Sequence, residues 1–207
     1  MSPISRSVTI TPTTARSWSA WFNLQGNNAA GLQGVISHAG AGNTGYEILY
    51  RQSDNNIFCG LGGSDTSGTV ATPSRNTWNH IVCAWDGSTL RMYLNGVERQ
   101  SAALSTIGDP TNALVIGTGS NDTTRVWNGS LDDVRVYNRA LTPAEITRLY
   151  KQAGKVTQKN PSIGGLVGWW AFEGGDISGT AVSDRSGNNN NGTTSGGPVA
   201  PLGKIGQ

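Results

Sequence analysis

An all-β sandwich with one short helix toward its C-terminal side is the fold class this sequence predicts, and three observations predict it. Of 207 residues, 29 are glycine, about twice the average frequency. Glycine weakens a helix interior by about 1 kcal/mol at each position, but it suits tight turns that need φ > 0. Short runs along the chain alternate bulky with small or polar residues, the period of a half-buried strand. Asp86-Gly87 and Asn95-Gly96 separate three such runs, and these dipeptides are strong local signals of a β-hairpin. A single large domain of this class is expected at this length.

Taken in order, Ser17–Leu24 (SWSAWFNL) is the first clear strand. Gly31–His38 and Tyr46–Arg51 follow on either side of the glycine-rich stretch 39–45, and Ile57–Leu61 comes after a polar turn at 53–56. Thr77–Trp85, Thr89–Leu94 and Val97–Ala102 form a three-stranded meander about the Asp-Gly and Asn-Gly turns. Within it Leu90, Met92 and Leu94 share one face while Arg91 and Tyr93 take the other. Leu114–Gly117 and Ser130–Tyr137 add two strands. The helix begins after Thr142, an N-cap followed by Pro143 at the first helical position and by Glu145 closing a capping box. Ile146, Leu149 and Tyr150 make an apolar stripe, expected on the sandwich edge, and Gly154 is the expected stop. Gly165–Phe172 (GLVGWWAF) is a further strand before a Gly/Asn/Ser-rich region that runs to Gln207. The chain thus divides into a main sandwich over 1–150, a polar linker over 151–164, and a tail over 165–207.

Charged residues make up 14% and the formal net charge is +2. Without a Lys/Arg cluster, nothing here points to nucleic acid. No apolar run approaches the roughly 20 residues of a membrane span. The first eleven residues lack the apolar centre of a signal peptide, so for an exported protein the signal lies upstream of Met1, or Met1 was added. Cys59 and Cys83 each fall in an expected strand without metal-ligand spacing. They form either one disulfide, which would mark an oxidising compartment, or two buried thiols.

Several stretches resemble the laminin G-like modules of the concanavalin A-like superfamily. They are Trp18-Ser-Ala-Trp-Phe22, the run from Trp78 to Gly87 leading into Leu90–Gly96, and Gly129–Ile146. Leu166–Phe172, Asp184–Gly192 and Gly203–Gln207 carry the likeness to the end of the chain. The resemblance implies a two-sheet antiparallel jelly roll, extracellular or at the cell surface. In the family, the Leu-Val-Gly-Trp-Trp strand and the Asp-x-Ser-Gly-Asn turn open the domain; here they stand at its C-terminal side. A jelly roll lacking its opening strands leaves backbone groups unpaired and core positions open. Leu166, Val167, Trp169, Trp170 and Phe172 are therefore expected to complete a sandwich, either their own or a neighbouring subunit's. A neighbour's would give a head-to-tail filament.

Some members of the superfamily are glycosidases, which need two carboxylates flanking the scissile bond. The only glutamates here are Glu47, Glu98, Glu145 and Glu173, and no strand carries closely spaced acids of that pattern, so catalysis is not expected. His38 and His80 are too separated for a triad or zinc site. By resemblance, Glu173, Asp184 and Asp132 are candidate ligands for calcium, which takes carboxylate and carbonyl oxygens. Most tryptophans fall in strands where burial is the rule, but Trp127 lies in a polar loop and is the candidate exposed ring for a sugar. Asn121, Asn128 and Asn191 begin glycosylation sequons of the kind an Asn-rich chain produces by chance. Two functions are expected: a structural or adhesive subunit assembling with copies of itself by strand complementation, or a monomeric, calcium-dependent module for glycans or extracellular proteins.

Overall fold

The computed structural model describes residues 4–6, 15–40, 44–61, 64–104, 108, 112–152 and 163–194. Gly154, most of the linker (153–162), the region before Ala15 except 4–6, and Gly203–Gln207 lie outside the described residues. In chain order the strands are β1 (Ile4–Arg6), β2 (Arg16–Leu24), β3 (Leu32–Gly40), β4 (Thr44–Arg51), β5 (Asn56–Leu61), β6 (Ser64–Ala71), β7 (Trp78–Trp85), β8 (Thr89–Leu94), β9 (Val97–Ala103), β10 (Leu114–Ile116) and β11 (Gly129–Tyr137). Helix α1 (Pro143–Gln152) follows, then β12 (Leu166–Trp170), β13 (Ile177–Ser178), β14 (Ala181–Val182) and β15 (Gly192–Thr194).

The strands form a jelly-roll sandwich of two antiparallel sheets. One runs β13-β14-β15-β1-β10-β3-β4-β5-β6 and the other β12-β11-β2-β7-β8-β9. Trp18, Phe22, Ile81, Met92, Val134 and Trp170 from the second sheet meet Ile36, Tyr46, Ile48, Ile57 and Ile116 from the first in one core. Alternation decides which side chains enter: Leu90, Met92 and Leu94 are buried there, while Tyr93 joins a second cluster on the outer face. The two sheets are joined covalently by a disulfide between Cys59 of β5 and Cys83 of β7, with Cα atoms 5.8 Å apart. Closing that 24-residue separation contributes about 3 kcal/mol on the chain-entropy estimate.

The tail contributes to both sheets of its own chain. β12 lies antiparallel beside β11, with Val134 opposite Trp170 and Arg135 opposite Trp169. β15 pairs with β1, which in turn pairs with β10. The other edge of β12 meets side chains instead of a strand. The backbone N–H of Trp169 donates to Asp184 Oδ1, the carbonyl of Val167 accepts from Asn188 and Asn190 side chains, and that of Leu166 accepts from Asn188. The Asn-rich turn satisfies backbone groups that an edge strand otherwise leaves bare.

Three features depart from the sequence-level expectation. β6 (SDTSGTVA) lacks bulky alternation and is recruited by pairing with β5. The short strands β13 to β15 arise in a stretch whose glycines and asparagines read as turns. Helix α1 does not sit on the sandwich edge: Ile146 and Leu149 pack over Val82, Ala84, Tyr93 and Tyr137 on the outer face of the six-stranded sheet. Tyr150 stacks on Trp21 at 5.6 Å, extending that contact. The helix starts as its capping box requires, with Thr142 N–H donating to Glu145 Oε2 at 2.9 Å and Glu145 N–H to Thr142 Oγ1 at 3.4 Å.

Candidate functional site

At one end of the sandwich Leu24, the last residue of β2, lies opposite Gly129, the first of β11. The loop after β2 and the loop before β11 meet there and enclose a cleft of about 470 Å³. Gln25, Asn27, Asn28 and Asn128 line it with amides; Val126, Trp127 and Gly129 complete the wall.

Buried amides hold the two loops together. Gln33 has no exposed surface; its Nε2 donates to the carbonyl of Gly26 at 2.8 Å and its Oε1 accepts from the N–H of Asn128 at 2.7 Å. The Asn128 carbonyl accepts from the N–H groups of both Gln25 and Gly26. Asn28 Nδ2 donates to the carbonyls of Leu32 and Val126, and its Oδ1 accepts from Gly31 N–H. Gly26 lets the Asn128 side chain lie against the backbone, since a Cβ there would stand 2.4 Å from Asn128 Nδ2. Gly129, at φ +154°, would place a Cβ 2.0 Å from the carbonyl oxygen of Asn23. Only glycine fits at 129, where the obstructing atom is backbone. With this scaffolding spent, the side chain of Gln25, the Nδ2 of Asn27 and the Oδ1 of Asn128 make no hydrogen bond among the described residues.

Trp127 corrects the sequence reading. It belongs to the cleft wall, but its ring is only 1% exposed and packs edge-on against Phe22, with centroids 5.7 Å apart. The polar neighbours in its loop face water while the ring turns into the core, as its N–H pairing to the carbonyl of Gly117 directs. It is therefore not an exposed stacking platform. Its indole Nε1 is buried without a hydrogen-bond partner, close to where a Cβ on Gly129 would sit. An unpaired buried donor costs about 1–3 kcal/mol.

The three carboxylates proposed for calcium are engaged separately. Asp184 accepts four hydrogen bonds, one from β12 and three within its own turn: from Trp169 N–H and Ser186 N–H at Oδ1, and from the Ser186 hydroxyl and Asn190 N–H at Oδ2. Asp132 is fully buried, its Oδ1 accepting from Asp133 N–H. Glu173 is held above the usual carboxylate range, first by burial; Asp176 and Asp133 add to that and Arg185 opposes it. Among the described residues no three His, Cys, Asp or Glu side chains are placed to hold a metal ion.

The five tail residues divide by face. Trp170 and Phe172 are buried in the core and Val167 packs partly against it, while Leu166 lies against the cluster under α1. Trp169 points the other way, with the guanidiniums of Arg135 and Arg185 over its ring at 4.5 and 5.9 Å. Sequence reasoning missed Gln25, Asn27, Gln33 and Asn128. The available signal was the concentration of amides in Gln25-Gly-Asn-Asn28 and in Asn128-Gly129.

A family model described as the concanavalin A-like lectin/glucanases superfamily, of laminin G type, matches residues 3–147. No curated protein matches the chain. Among solved structures, a provisionally assigned carbohydrate-binding protein from Bacteroides ovatus is similar with a TM-score of 0.75 at 18% identity, over 97% of this chain. The chain spans 57% of that protein. Domain 4 of a GH43 extracellular arabinanase from Geobacillus stearothermophilus, in complex with arabinotriose, is similar with a TM-score of 0.59 at 20% identity, covering 72% of each chain. A heptameric SAP-like pentraxin from Limulus polyphemus gives 0.51 at 17%, over 76% of this chain and 85% of its own. At these identities the likeness is one of fold.

Proposed function

The chain belongs to the concanavalin A-like lectin/glucanases superfamily, and from that premise we propose that it is a non-catalytic carbohydrate-binding module whose ligand occupies the cleft between the β2 and β11 ends. The observation that carries this reading is the lining itself, in which amide groups left over from loop scaffolding face one small cleft. A side-chain amide offers donors and an acceptor together, which suits the hydroxyl groups of a sugar. Val126, 38% exposed, supplies the apolar contact. None of the seven lining side chains titrates near neutral pH, so the cleft lacks the paired carboxylates of glycoside hydrolysis. The domain of the arabinanase, seen with arabinotriose, supports the sugar class. The disulfide supports an oxidising, extracellular setting. No part of this reading uses calcium.

The test is a glycan array followed by calorimetry with the wild-type chain and a Gln25→Ala/Asn128→Ala variant. Binding that the double substitution weakens at least tenfold, with an unchanged melting curve, supports the proposal. Binding untouched by the substitutions removes the cleft as its seat.

A second reading, head-to-tail assembly through an exchanged β12, is favoured by the displaced order of the family's opening segments. Within one chain β12 already stands beside β11, so assembly requires that strand to leave its own sandwich for a neighbour's. Sedimentation at micromolar concentration separates the readings: a single monomer-sized boundary rejects assembly, and a ladder of multiples supports it.

A further inference from the structure

Six arginines among the described residues form ion pairs with acids. Arg51 pairs with Asp54, Arg91 with Asp86, Arg125 with Asp122, Arg135 with Asp133, Arg139 with Glu145 and Arg185 with Asp176. Arg75 differs. Its Nη1 donates to the Tyr50 hydroxyl at 2.9 Å and its Nη2 to Asn27 Oδ1 at 3.0 Å, both neutral oxygens. Its guanidinium also lies 5.9 Å from the centroid of the Tyr50 ring. The hydroxyl of Tyr50 is itself held, donating to Asn55 Oδ1 at 2.7 Å. The Arg75 side chain is thus fixed at two points, carries no neutralising carboxylate among the described residues, and remains exposed.

Asn27 is both the partner of Arg75 and part of the cleft wall. A ligand that reaches Asn27 from the cleft therefore comes within one side chain of a fixed positive charge. No acidic residue lines the cleft to cancel it. A guanidinium has five N–H donors in a planar fork that matches the two oxygens of a carboxylate or of a sulfate. Two donations to neutral oxygens leave three donors unspent.

Resting on the carbohydrate reading of this cleft, we infer that its glycan is anionic, and that Arg75 meets a sugar carboxylate or sulfate while the amides meet the hydroxyls. The acid-bearing unit sits on the Asn27 side of the cleft and the neutral units toward Asn128.

The experiment compares oligogalacturonate, its methyl ester and a sulfated oligosaccharide by calorimetry at low and at raised salt. Wild type, Arg75→Gln and Arg75→Lys are titrated, each first shown by thermal melting to be folded. The free acid, the sulfated sugar or both are expected to bind at least tenfold tighter than the uncharged ester, and the advantage shrinks with salt as screening predicts. The two acidic probes tell a carboxylate ligand from a sulfate one. Arg75→Gln abolishes the acid-to-ester advantage, and Arg75→Lys keeps part of it, since lysine retains charge without the fork. A merely structural role for Arg75 would alter all ligands alike and leave the acid-to-ester ratio unchanged. Equal binding of acid, sulfate and ester, or a preference that survives Arg75→Gln, overturns the inference while the module remains a sugar binder. Failure of every glycan class, neutral ones included, overturns the carbohydrate reading on which it rests.

Discussion

The indole N–H of Trp169 donates to Asp133 Oδ1 at 2.6 Å, and the same carboxylate oxygen accepts from Arg135 Nε at 2.8 Å. β12 is therefore fastened to β11 by side chains as well as by backbone pairing. Asp133 stands at φ +49° within a bulge of β11, a conformation that asparagine also tolerates. Asp133→Asn accordingly keeps the backbone and removes only the charge, leaving the buried guanidinium of Arg135 without its counter-ion. Breaking a buried pair in this way costs about 3–5 kcal/mol. Urea denaturation is expected to show a loss of about 3 kcal/mol, softened by the amide's remaining acceptor. A change below 1 kcal/mol would mean that the pair does not hold the strand.

The Cys59–Cys83 bridge ties the sheets at the centre of the core, where both residues are inaccessible. A Cys59→Ala/Cys83→Ala variant is expected to lose about 3 kcal/mol against the oxidised protein. The reducing agent that leaves the variant's unfolding curve unmoved should lower the wild type's. Identical curves with and without reductant would count against the bridge.

Arg139, through two hydrogen bonds, and the Thr142 cap hold the Glu145 carboxyl down at about 2, from the usual 4.5. A carboxylate depressed in the folded state adds stability that is complete above its unfolded value and is lost as pH falls through its folded value. The acid limb of the stability curve between about pH 4.5 and 2 should therefore carry a Glu145 component. Glu145→Gln should flatten that limb and lower the melting temperature at pH 7. An unaltered slope would show the cap to be energetically idle.

Trp127→Phe keeps an aromatic ring against Phe22 and removes an indole N–H that is buried without a hydrogen-bond partner. Removing an unsatisfied donor relieves its desolvation cost. The variant's melting temperature should hold or rise. A clearly lowered melting temperature would show that the unpaired indole N–H carries no such cost.

Thermal melts in EDTA and in calcium are expected to superimpose. The oxygens of Asp184 are already committed to four donors, and Glu173 and Asp132 do not join it in one group. A calcium-dependent rise would require a site built from other residues.

Much of the sandwich was legible in the sequence because burial there is decided locally. The alternation of Leu90, Met92 and Leu94 dictates which side faces the core, and Thr142 with Glu145 marks the helix start without help from elsewhere. β6 was not legible, since its small polar residues carry no period and its strand form comes from a partner. The placing of α1 was missed because an apolar stripe announces a face to be covered but not which surface covers it. The cleft was hidden for a related reason. Gln33 reads as one polar residue of a strand and Asn128 as a turn amide until two distant loops meet, and only then do their hydrogen bonds define a wall. The burial of Trp127 followed the same logic, because the hydrophilic text around it says nothing of where its own backbone N–H will dock.

The row of asparagines beside β12 has a consequence for crowding. A sheet that finishes in side-chain amides already turned toward its own carbonyls offers an approaching strand nothing to zip onto along that border. Molecules tethered close together on a wall or within one long polypeptide can then sit shoulder to shoulder there without coalescing into a continuous ribbon.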